Sequence, residues 1–427
     1  MSRSRAEVFA YRGLEVEADV LRAHYDLDGR AFVEEVAFEG VGDLRAPAPR
    51  AGATLWYLVA GLSYLKAGAA RHVDLAATPV GPAGRALLAA AIRDGLGEFA
   101  VRNDLDLSDV EVTGGAPLVA ALAAGDPRRV LVPFGGGIDS VVALEELPAD
   151  LDQALFIVSP ASGPFAALEA TAGVTGRPVV RASRRLDPAL TSDASLWRGH
   201  VPVTAMVTLL AATAAAASGR GGVVMSNERS ASEPNLVRAG RPVNHQWSKS
   251  WDAEQLLGAA LAESVGDALV VASLLRDRSE LWVAERFARL PQYHEVFRSC
   301  NRAFAQDPAR RATTWCGQCD KCLFVNLVLA PFVARDRLAA IFPGEPLADP
   351  ARLDQLRTLV GRGAEPKPFE CVGDPAESAA ALRRAVAAPA WAGVAHLAAL
   401  AAELGPVPDA DLLEPAGETR VPSHWLR

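Results

Sequence analysis

The feature that most constrains the fold is an alternation of short apolar runs with segments of helical spacing, which begins at Arg129. Four runs, 130–133, 154–159, 178–182 and 222–225, have the length and composition of buried strands. Helices are predicted between them, from Ser140, near 164–172, and after Pro202. This alternation with short connections predicts an α/β fold, a parallel sheet with helices on both faces. Ligands of such sheets bind at the carboxyl ends of the strands.

The flanking segments predict two further regions. Residues 1–124 begin with strand-like runs and continue into a segment of helical spacing, which indicates an N-terminal α+β domain. Glycine-rich turns and Asp126-Pro127 then indicate a boundary near residue 125. The central domain would span 125–345, and the Ala-, Leu- and Arg-rich remainder, 346–427, predicts a helical C-terminal cap.

A glycine-rich loop joins the first strand of the alternating region to its first helix. Its residues are Phe134, Gly135, Gly136, Gly137, Ile138, Asp139 and Ser140. Glycines let backbone N–H groups approach phosphate oxygens, and a helix N-terminus adds unpaired donors and partial positive charge. The Walker and dinucleotide patterns both fail here, because no Lys precedes Ser140 and Ser140 stands at the position of the third glycine. The loop therefore predicts an anion site, although a turn that only packs strand against helix has the same pattern.

This loop resembles the PP-loop of the ATP pyrophosphatase superfamily, Ser-Gly-Gly-x-Asp-Ser, with Gly135 in place of the leading Ser. The resemblance implies that ATP is split to AMP and pyrophosphate. It also implies that Asp139 organises the loop and its Mg²⁺, while Ser140 and the glycine amides contact the pyrophosphate.

Charge and hydropathy bear on partners and compartment. Lys plus Arg number 43 against 51 Asp plus Glu, a net charge of -8, which disfavours a duplex nucleic-acid partner. The first 19 residues lack an apolar core of the kind that drives secretion, and the apolar run 201–217 contains Pro and Thr, as in a buried helix. We therefore expect a cytoplasmic protein that contacts neither nucleic acid nor a membrane.

Four of the five cysteines form a cluster: Cys300, Cys316, Cys319 and Cys322. In a reducing compartment, such spacing favours metal ligation over disulfides, and four thiolates satisfy a structural zinc site. An iron–sulfur cluster and free thiols fit the same spacing, as do two thiols acting as acid and base of a racemase. Cyano-deazaguanine synthases of the PP-loop superfamily have a similar cysteine arrangement that binds zinc.

Further candidate site residues lie near predicted strand ends or stand out by type. Only four Lys occur in the chain, so Lys249 is a stronger candidate phosphate ligand than Arg276, which a solvated helix position would also explain. Polar side chains at strand ends face the ligand crevice, and histidines are candidate acids and bases that also serve as caps or core residues. These candidates are Ser159, Asn227, Glu228 and Arg229 at strand ends and the histidines His200 and His245. Glu228 is a candidate base or magnesium ligand and Arg229 a candidate carboxylate ligand, whereas a turn or capping role is the alternative for both.

Taken together, five segments resemble the MurL-type UDP-N-acetylmuramoyl-L-alanyl-L-glutamate epimerase family: the glycine loop, 199–204, 226–232, 243–250 and 315–332. The resemblance implies inversion of the terminal L-Glu of the UDP-linked dipeptide during peptidoglycan precursor synthesis. It also implies the use of ATP and Mg²⁺, with release of AMP and diphosphate. The N-terminal domain would then recognise the UDP-sugar.

Two other functions fit the same motifs. One is a PP-loop transferase that modifies a deazapurine or tRNA, although the acidic charge and the absence of a basic arm count against tRNA. The other is a nonenzymatic ATP-binding zinc adaptor, which would bind ATP without releasing AMP.

Overall fold

The protein, described from a computed structural model that covers residues 4–305, 307–404 and 410–427, is built around one ten-stranded sheet. Its strands are β1 (Val8–Val16), β2 (Val20–Leu27), β3 (Arg30–Glu39), β4 (His72–Asp74), β5 (Glu111–Thr113), β6 (Asp126–Pro133), β7 (Asp152–Pro160), β8 (Val179–Arg185), β9 (Arg220–Met225) and β12 (Val270–Ser273). They lie side by side in the order β12-β9-β6-β7-β8-β3-β2-β1-β4-β5. A separate hairpin pairs β10 (Leu236–Arg238) with β11 (Arg241–Val243).

Strands β12, β9, β6, β7 and β8 are mutually parallel, as the alternating pattern predicts. Their side chains alternate between two cores, because successive residues of a strand point to opposite faces. Leu131 and Val223 belong to one core, whereas Val132 and Val224 belong to the other. Both faces of this part of the sheet are therefore covered, and the carboxyl ends of its strands lie along one edge.

The N-terminal strands extend the same sheet beyond the predicted boundary near residue 125. Strands β1, β2 and β3 form an antiparallel meander, and β3 pairs antiparallel with β8, where Phe38 lies opposite Ala182. Strands β4 and β5 then add to β1 in parallel. The sheet as a whole is mostly parallel and is antiparallel only from β8 to β1.

The helices cover the two faces of the sheet and form the C-terminal region. They are α1 (Pro47–Ala60), α2 (Leu62–Gly68), α3 (Pro82–Ala90), α4 (Gly97–Arg102), α5 (Ile138–Glu146), α6 (Ala166–Thr175), α7 (Ala189–Ser192), α8 (Val203–Ala217), α9 (Trp251–Val265), α10 (Glu280–Ala288), α11 (Asp320–Leu329), α12 (Arg335–Ile341), α13 (Leu353–Leu359), α14 (Pro375–Ala387), α15 (Pro389–Ala392) and α16 (Ala395–Glu403). Helices α1, α8 and α9 pack together on one face, whereas α5, α10, α11 and α14 pack on the other.

These features confirm the predicted α/β class, the large and mostly parallel sheet and the helical C-terminal region. Within the described residues, no helix has both the length and the apolar character that crossing a membrane requires.

Candidate active site

A cavity of about 380 Å³ opens at the carboxyl ends of β6, β7 and β9, where ligands of parallel sheets bind. The glycine loop forms one wall of the cavity. The loop that follows β9 and residues adjacent to the clustered cysteines form other walls. Polar and charged residues of the lining are Asp139, Ser140, Thr204, Ser226, Asn227, Glu228, Lys249, Ser299, Asn301, Lys321 and Cys371. The cavity therefore brings together most of the segments that the sequence singled out.

The glycine loop has the geometry of an anion site. Gly136 has φ +72°, a left-handed conformation that favours glycine, and Gly137 lies at the N-cap of α5. Nothing lies within 4 Å of the position where a Cβ on Gly135 would stand, so an anion can approach the backbone there. Ser140 Oγ donates to the carbonyl of Gly137 at 3.1 Å, which holds the first turn of the helix. The N-terminus of α5 therefore lies at the cavity, since Gly137, Asp139 and Ser140 all line it.

Asp139 supplies a carboxylate beside this loop. Its Oδ1 is buried and accepts no hydrogen bond from the described residues. Burial raises the pKa of Asp139, although the ammonium groups of Lys321 and Lys249 act in the opposite direction. A buried carboxylate oxygen without a partner, next to a phosphate-type loop, fits an oxygen ligand for Mg²⁺.

The β9 loop places three predicted residues differently. Asn227 lines the cavity and its Nδ2 donates to Ser273 Oγ at 3.0 Å. Glu228 also lines the cavity, but its Oε2 accepts from Ala231 N at 2.8 Å, so it caps the following turn. Arg229 instead pairs with Glu377 at 3.7 Å and is not part of the cavity lining.

Arg276 lies behind the cavity wall. Its Nη2 is 2.8 Å from Glu254 Oε2, and the two side chains are 3% and 4% exposed. The guanidinium also donates to the carbonyl of Glu228 at 3.0 Å and to the carbonyl of Lys249 at 2.7 Å. All three guanidinium nitrogens therefore have protein partners, and the structure places Arg276 as a support for two residues of the lining.

His200 and His245 lie together beside Glu98, with ring centroids 4.3 Å apart. Nδ1 of His245 is 2.5 Å from Glu98 Oε2, and Nδ1 of His200 is 3.7 Å from the same atom. Burial and the neighbouring His245 lower the pKa of His200 to about 4. Burial alone would also lower the pKa of His245, but Cys371 and Glu98 raise it to about 9.

Cys371 connects this histidine pair to the cavity. Its Sγ accepts from Lys249 Nζ at 3.6 Å and is hydrogen-bonded by His245. Burial would raise the pKa of the Cys371 thiol, but Lys249 and His245 lower it to about 6. The pKa of Lys249 is raised despite its burial, chiefly by Cys371 and by the carboxylate of Asp139. Lys249 and His245 thus both favour the thiolate form of Cys371.

The four clustered cysteines converge as a metal site requires. Pairs of their sulfur atoms lie 3.5, 3.6 and 4.0 Å apart, and all four fall within 4.8 Å of one another. A tetrahedral zinc ion with bonds of about 2.3 Å separates its sulfur ligands by about 3.8 Å. The arrangement of Cys300, Cys316, Cys319 and Cys322 can therefore hold zinc.

The cysteine cluster also shapes the cavity. Ser299 and Asn301 flank Cys300, and Lys321 precedes Cys322. These three neighbours of the cysteines line the cavity. In addition, the N–H of Arg298 donates to the carbonyl of Gly136 at 3.0 Å. A metal at the cluster would thus hold one wall of the cavity and brace the glycine loop.

Ser159 does not line the main cavity but lies in a second cavity of about 410 Å³ at the ends of β7 and β8. Its Oγ is buried without a hydrogen-bond partner among the described residues. The predicted loop residue Phe134 lines the main cavity with Gly135 and Gly137, whereas Gly136 is not part of its lining.

Three titratable residues of the site were not among the sequence candidates: Glu98, Lys321 and Cys371. Lys321 carried a usable signal, because lysine is so scarce in this chain, and Cys371 is the one cysteine outside the cluster. Glu98 carried none, since its role depends on a contact with a residue far along the chain.

Comparisons with known proteins bear on this site. The model of the MurL N-terminal domain matches residues 1–274, and that of the MurL C-terminal domain matches residues 296–413. Three relatives are named UDP-N-acetyl-alpha-D-muramoyl-L-alanyl-L-glutamate epimerase. The relative from Salinispora tropica is 44% identical over 77% of this chain and 71% of its own length. The relative from Micromonospora sp. is 41% identical over 87% of this chain and 84% of its own length. The relative from Xanthomonas oryzae pv. oryzae is 36% identical over 98% of this chain and 96% of its own length. No solved structure gives a significant match.

Proposed function

Because the chain belongs to the MurL epimerase family, we propose that it inverts the terminal L-glutamate of UDP-N-acetylmuramoyl-L-alanyl-L-glutamate during peptidoglycan precursor synthesis. The reaction consumes ATP and releases AMP and diphosphate. The observation that carries the proposal is one cavity lined by a phosphate-type glycine loop and by Lys249 and Cys371, two members of a partly buried Cys–His–Lys cluster. The loop supports activation of a carboxylate by ATP, and the cluster supports proton transfer.

The chemistry explains why an isomerase would use ATP. A free carboxylate resists loss of its α-proton, because the product would be a dianion. An acyl-adenylate carries no charge on the carboxyl group, and its enolate is delocalised. The α-carboxylate of the substrate attacks the α-phosphorus of ATP, diphosphate leaves, the α-carbon is inverted, and water releases product and AMP.

Binding of the phosphates is assigned to the glycine loop and its neighbours. The amides of Gly135 to Gly137 and the N-terminus of α5 contact the departing diphosphate, as helix N-termini do for anions. Lys249 and Lys321, which both line the cavity, offset the negative charge that develops during adenylation. Asp139 would hold Mg²⁺, which supplies further neutralisation of phosphate charge when it is bound.

The remaining predicted residues divide into contact and support roles. Ser159, with its buried unpartnered hydroxyl in the second cavity, contacts the adenosine part of ATP. Asn227 contacts ligand at the end of β9. Arg276 acts as a positioning residue, since it holds the carbonyls of Glu228 and Lys249. Zinc at the cysteine cluster is structural, because four thiolates leave no open position for chemistry.

The test is an incubation of the protein with UDP-N-acetylmuramoyl-L-alanyl-L-glutamate, ATP and Mg²⁺ in D₂O. The products are hydrolysed, the glutamate enantiomers are resolved, and AMP is quantified. We expect D-glutamate with α-deuterium, formed only when ATP is present, together with AMP. A parallel incubation without ATP is the control.

Two outcomes would contradict the proposal. Unchanged L-glutamate from folded, zinc-replete protein that still produces AMP would favour a transferase of the PP-loop type. Stoichiometric ATP binding without AMP would favour a nonenzymatic adaptor.

A further inference from the structure

We infer that Cys371 is the base that takes the α-proton from one face of the activated glutamate, and that His245 and Glu98 position it. This inference rests on the proposed function, because it assigns one step of that reaction to one side chain. None of the motifs that indicate ATP or metal binding includes Cys371.

The geometry that supports this role is a chain of contacts that ends in the cavity. Cys371 lines the cavity, together with the glycine loop. His245 hydrogen-bonds its thiol, and the other side of the imidazole is fixed by Glu98, whose Oε2 lies 2.5 Å from Nδ1. A reactive side chain, an imidazole within hydrogen-bonding reach and a third group that orients the imidazole form the arrangement that activates thiols.

The charges around Cys371 favour a thiolate at neutral pH. The ammonium of Lys249 lies 3.6 Å from Sγ, and Lys321 lines the same cavity. Lys249, His245 and Lys321 together lower the pKa of Cys371 to about 6 against the effect of burial. A base works best when its pKa lies near the operating pH. A thiol with a pKa of about 6 is mostly ionised at neutral pH and can still accept a proton.

The proposed step conserves protons and electrons. The Cα–H bond of the acyl-adenylate breaks, the proton goes to Sγ, and the electron pair forms an enolate whose oxygen carries the charge. The enolate then takes a proton from water on the opposite face, which leaves hydroxide. The hydroxide recovers the proton from Sγ and restores the thiolate, so no oxidant or further reactant is needed.

A metal ion held by the same histidines is the competing interpretation. Ligand atoms of Glu98, His200 and His245 lie within 4.8 Å of one another. However, both carboxylate oxygens of Glu98 already have partners, because Oε1 accepts from Arg102 Nε at 2.6 Å and Oε2 contacts His245. The side chains are thus arranged as a hydrogen-bonded relay, which needs no ion to hold it together.

The experiment compares the full-length protein with Cys371→Ala and Cys371→Ser. Substrate-dependent exchange of label between diphosphate and ATP reports adenylation, and α-deuterium uptake from D₂O reports proton removal. In each variant, the rate of label exchange is the internal reference against which α-deuterium uptake is compared. Their α-deuterium uptake should fall at least about 100-fold, the effect typical of a lost general base.

The positioning role of Glu98 is tested by Glu98→Gln. Without the carboxylate, the pKa of His245 falls, the thiolate loses support, and the pKa of Cys371 rises. The acidic limb of the pH profile for α-deuterium uptake should therefore move to higher pH. A merely structural role would instead lower the rate by the same factor at every pH.

Three results would overturn the inference. The first is normal α-deuterium uptake by Cys371→Ala. The second is a hydroxylamine-sensitive mass increase on Cys371 during turnover, which would make it an acyl nucleophile. The third is a second zinc equivalent that disappears in His245→Ala. By contrast, wild-type protein that forms neither AMP nor D-glutamate would refute the proposed function itself.

Discussion

Replacing Arg276 by Met should destabilise the protein by about 4 kcal/mol, because it breaks a buried ion pair. Removing one partner of such a pair typically costs about 3–5 kcal/mol, since the other charge is left without compensation in the interior. Here Arg276 and Glu254 are 3% and 4% exposed, with Nη2 and Oε2 2.8 Å apart. The carbonyls of Glu228 and Lys249 lose their donors in the same variant.

The assay is urea unfolding followed by tryptophan fluorescence. With a denaturant slope of about 3 kcal/mol per molar urea, a loss of about 4 kcal/mol lowers the midpoint by more than about 1 M. Arg337→Met is the matched control, because its partner Glu295 lies 3.1 Å away and the two side chains are 36% and 77% exposed. An exposed pair contributes only about 0–1 kcal/mol, so the control should keep its midpoint within about 0.3 M.

The same comparison tests the alternative in which Arg276 binds phosphate directly. A phosphate ligand that is removed raises the KM for ATP but has little effect on the urea midpoint. If Arg276→Met unfolds at the same urea concentration as Arg337→Met while ATP turnover falls, the supporting role derived from these contacts is wrong.

Three further predictions concern the loop, the cysteine cluster and the histidine pair. Asp139→Asn should lower AMP formation at least about 100-fold with unchanged circular dichroism. The control Asp336→Asn should leave AMP formation unchanged. Near-normal AMP formation by Asp139→Asn would refute the role of Asp139 in the glycine loop. Elemental analysis should find about one zinc per chain. The variant Cys316→Ser should lose the zinc and bind ATP more weakly, because residues beside the cluster line the cavity. Unchanged ATP affinity in the zinc-free variant would show that the metal does not hold the cavity wall. Because burial and His245 hold the pKa of His200 at about 4, below about 6.5 in the unfolded chain, the unfolded state takes up this proton first as pH falls. His200 therefore contributes stability that is present above about pH 6.5 and is lost, by up to about 3 kcal/mol, as the pH falls to 4. The urea midpoint should fall more between pH 7 and pH 4.5 in the wild type than in His200→Asn. An equal fall in both proteins would contradict this prediction.

The sequence predicts those parts of the fold that local patterns specify. Strands β6, β7, β8 and β9 each have an apolar run, and the helical segments between them imply that they are parallel. Pairing between β3 and β8 joins segments about 150 residues apart, so no local pattern reveals it. Strand β12 has only the four residues Val270–Ser273, too few for a periodicity to be recognised.

The candidate site divides in the same way. The glycine loop lies within one short segment, 134–140, and the cysteine cluster within another, 300–322. The geometry of the first agrees with an anion site, and that of the second with a metal site. The contacts of Cys371 with His245 and of His245 with Glu98 bring together three distant segments, which only the folded chain shows. Arg276 could not be placed by residue type, because arginine is the common cation throughout this chain and only its burial distinguishes it.

The central claim is that ATP activates the α-carboxylate of glutamate before the α-carbon is inverted. The direct measurement uses UDP-N-acetylmuramoyl-L-alanyl-L-glutamate with both oxygens of the terminal α-carboxylate labelled with ¹⁸O. If the carboxylate attacks the α-phosphorus and water later attacks the carbonyl carbon, one labelled oxygen stays on the phosphate of AMP. Mass spectrometry should therefore find one ¹⁸O atom in each AMP formed, in step with D-glutamate. D-glutamate that appears with unlabelled AMP, or without AMP, would contradict the acyl-adenylate.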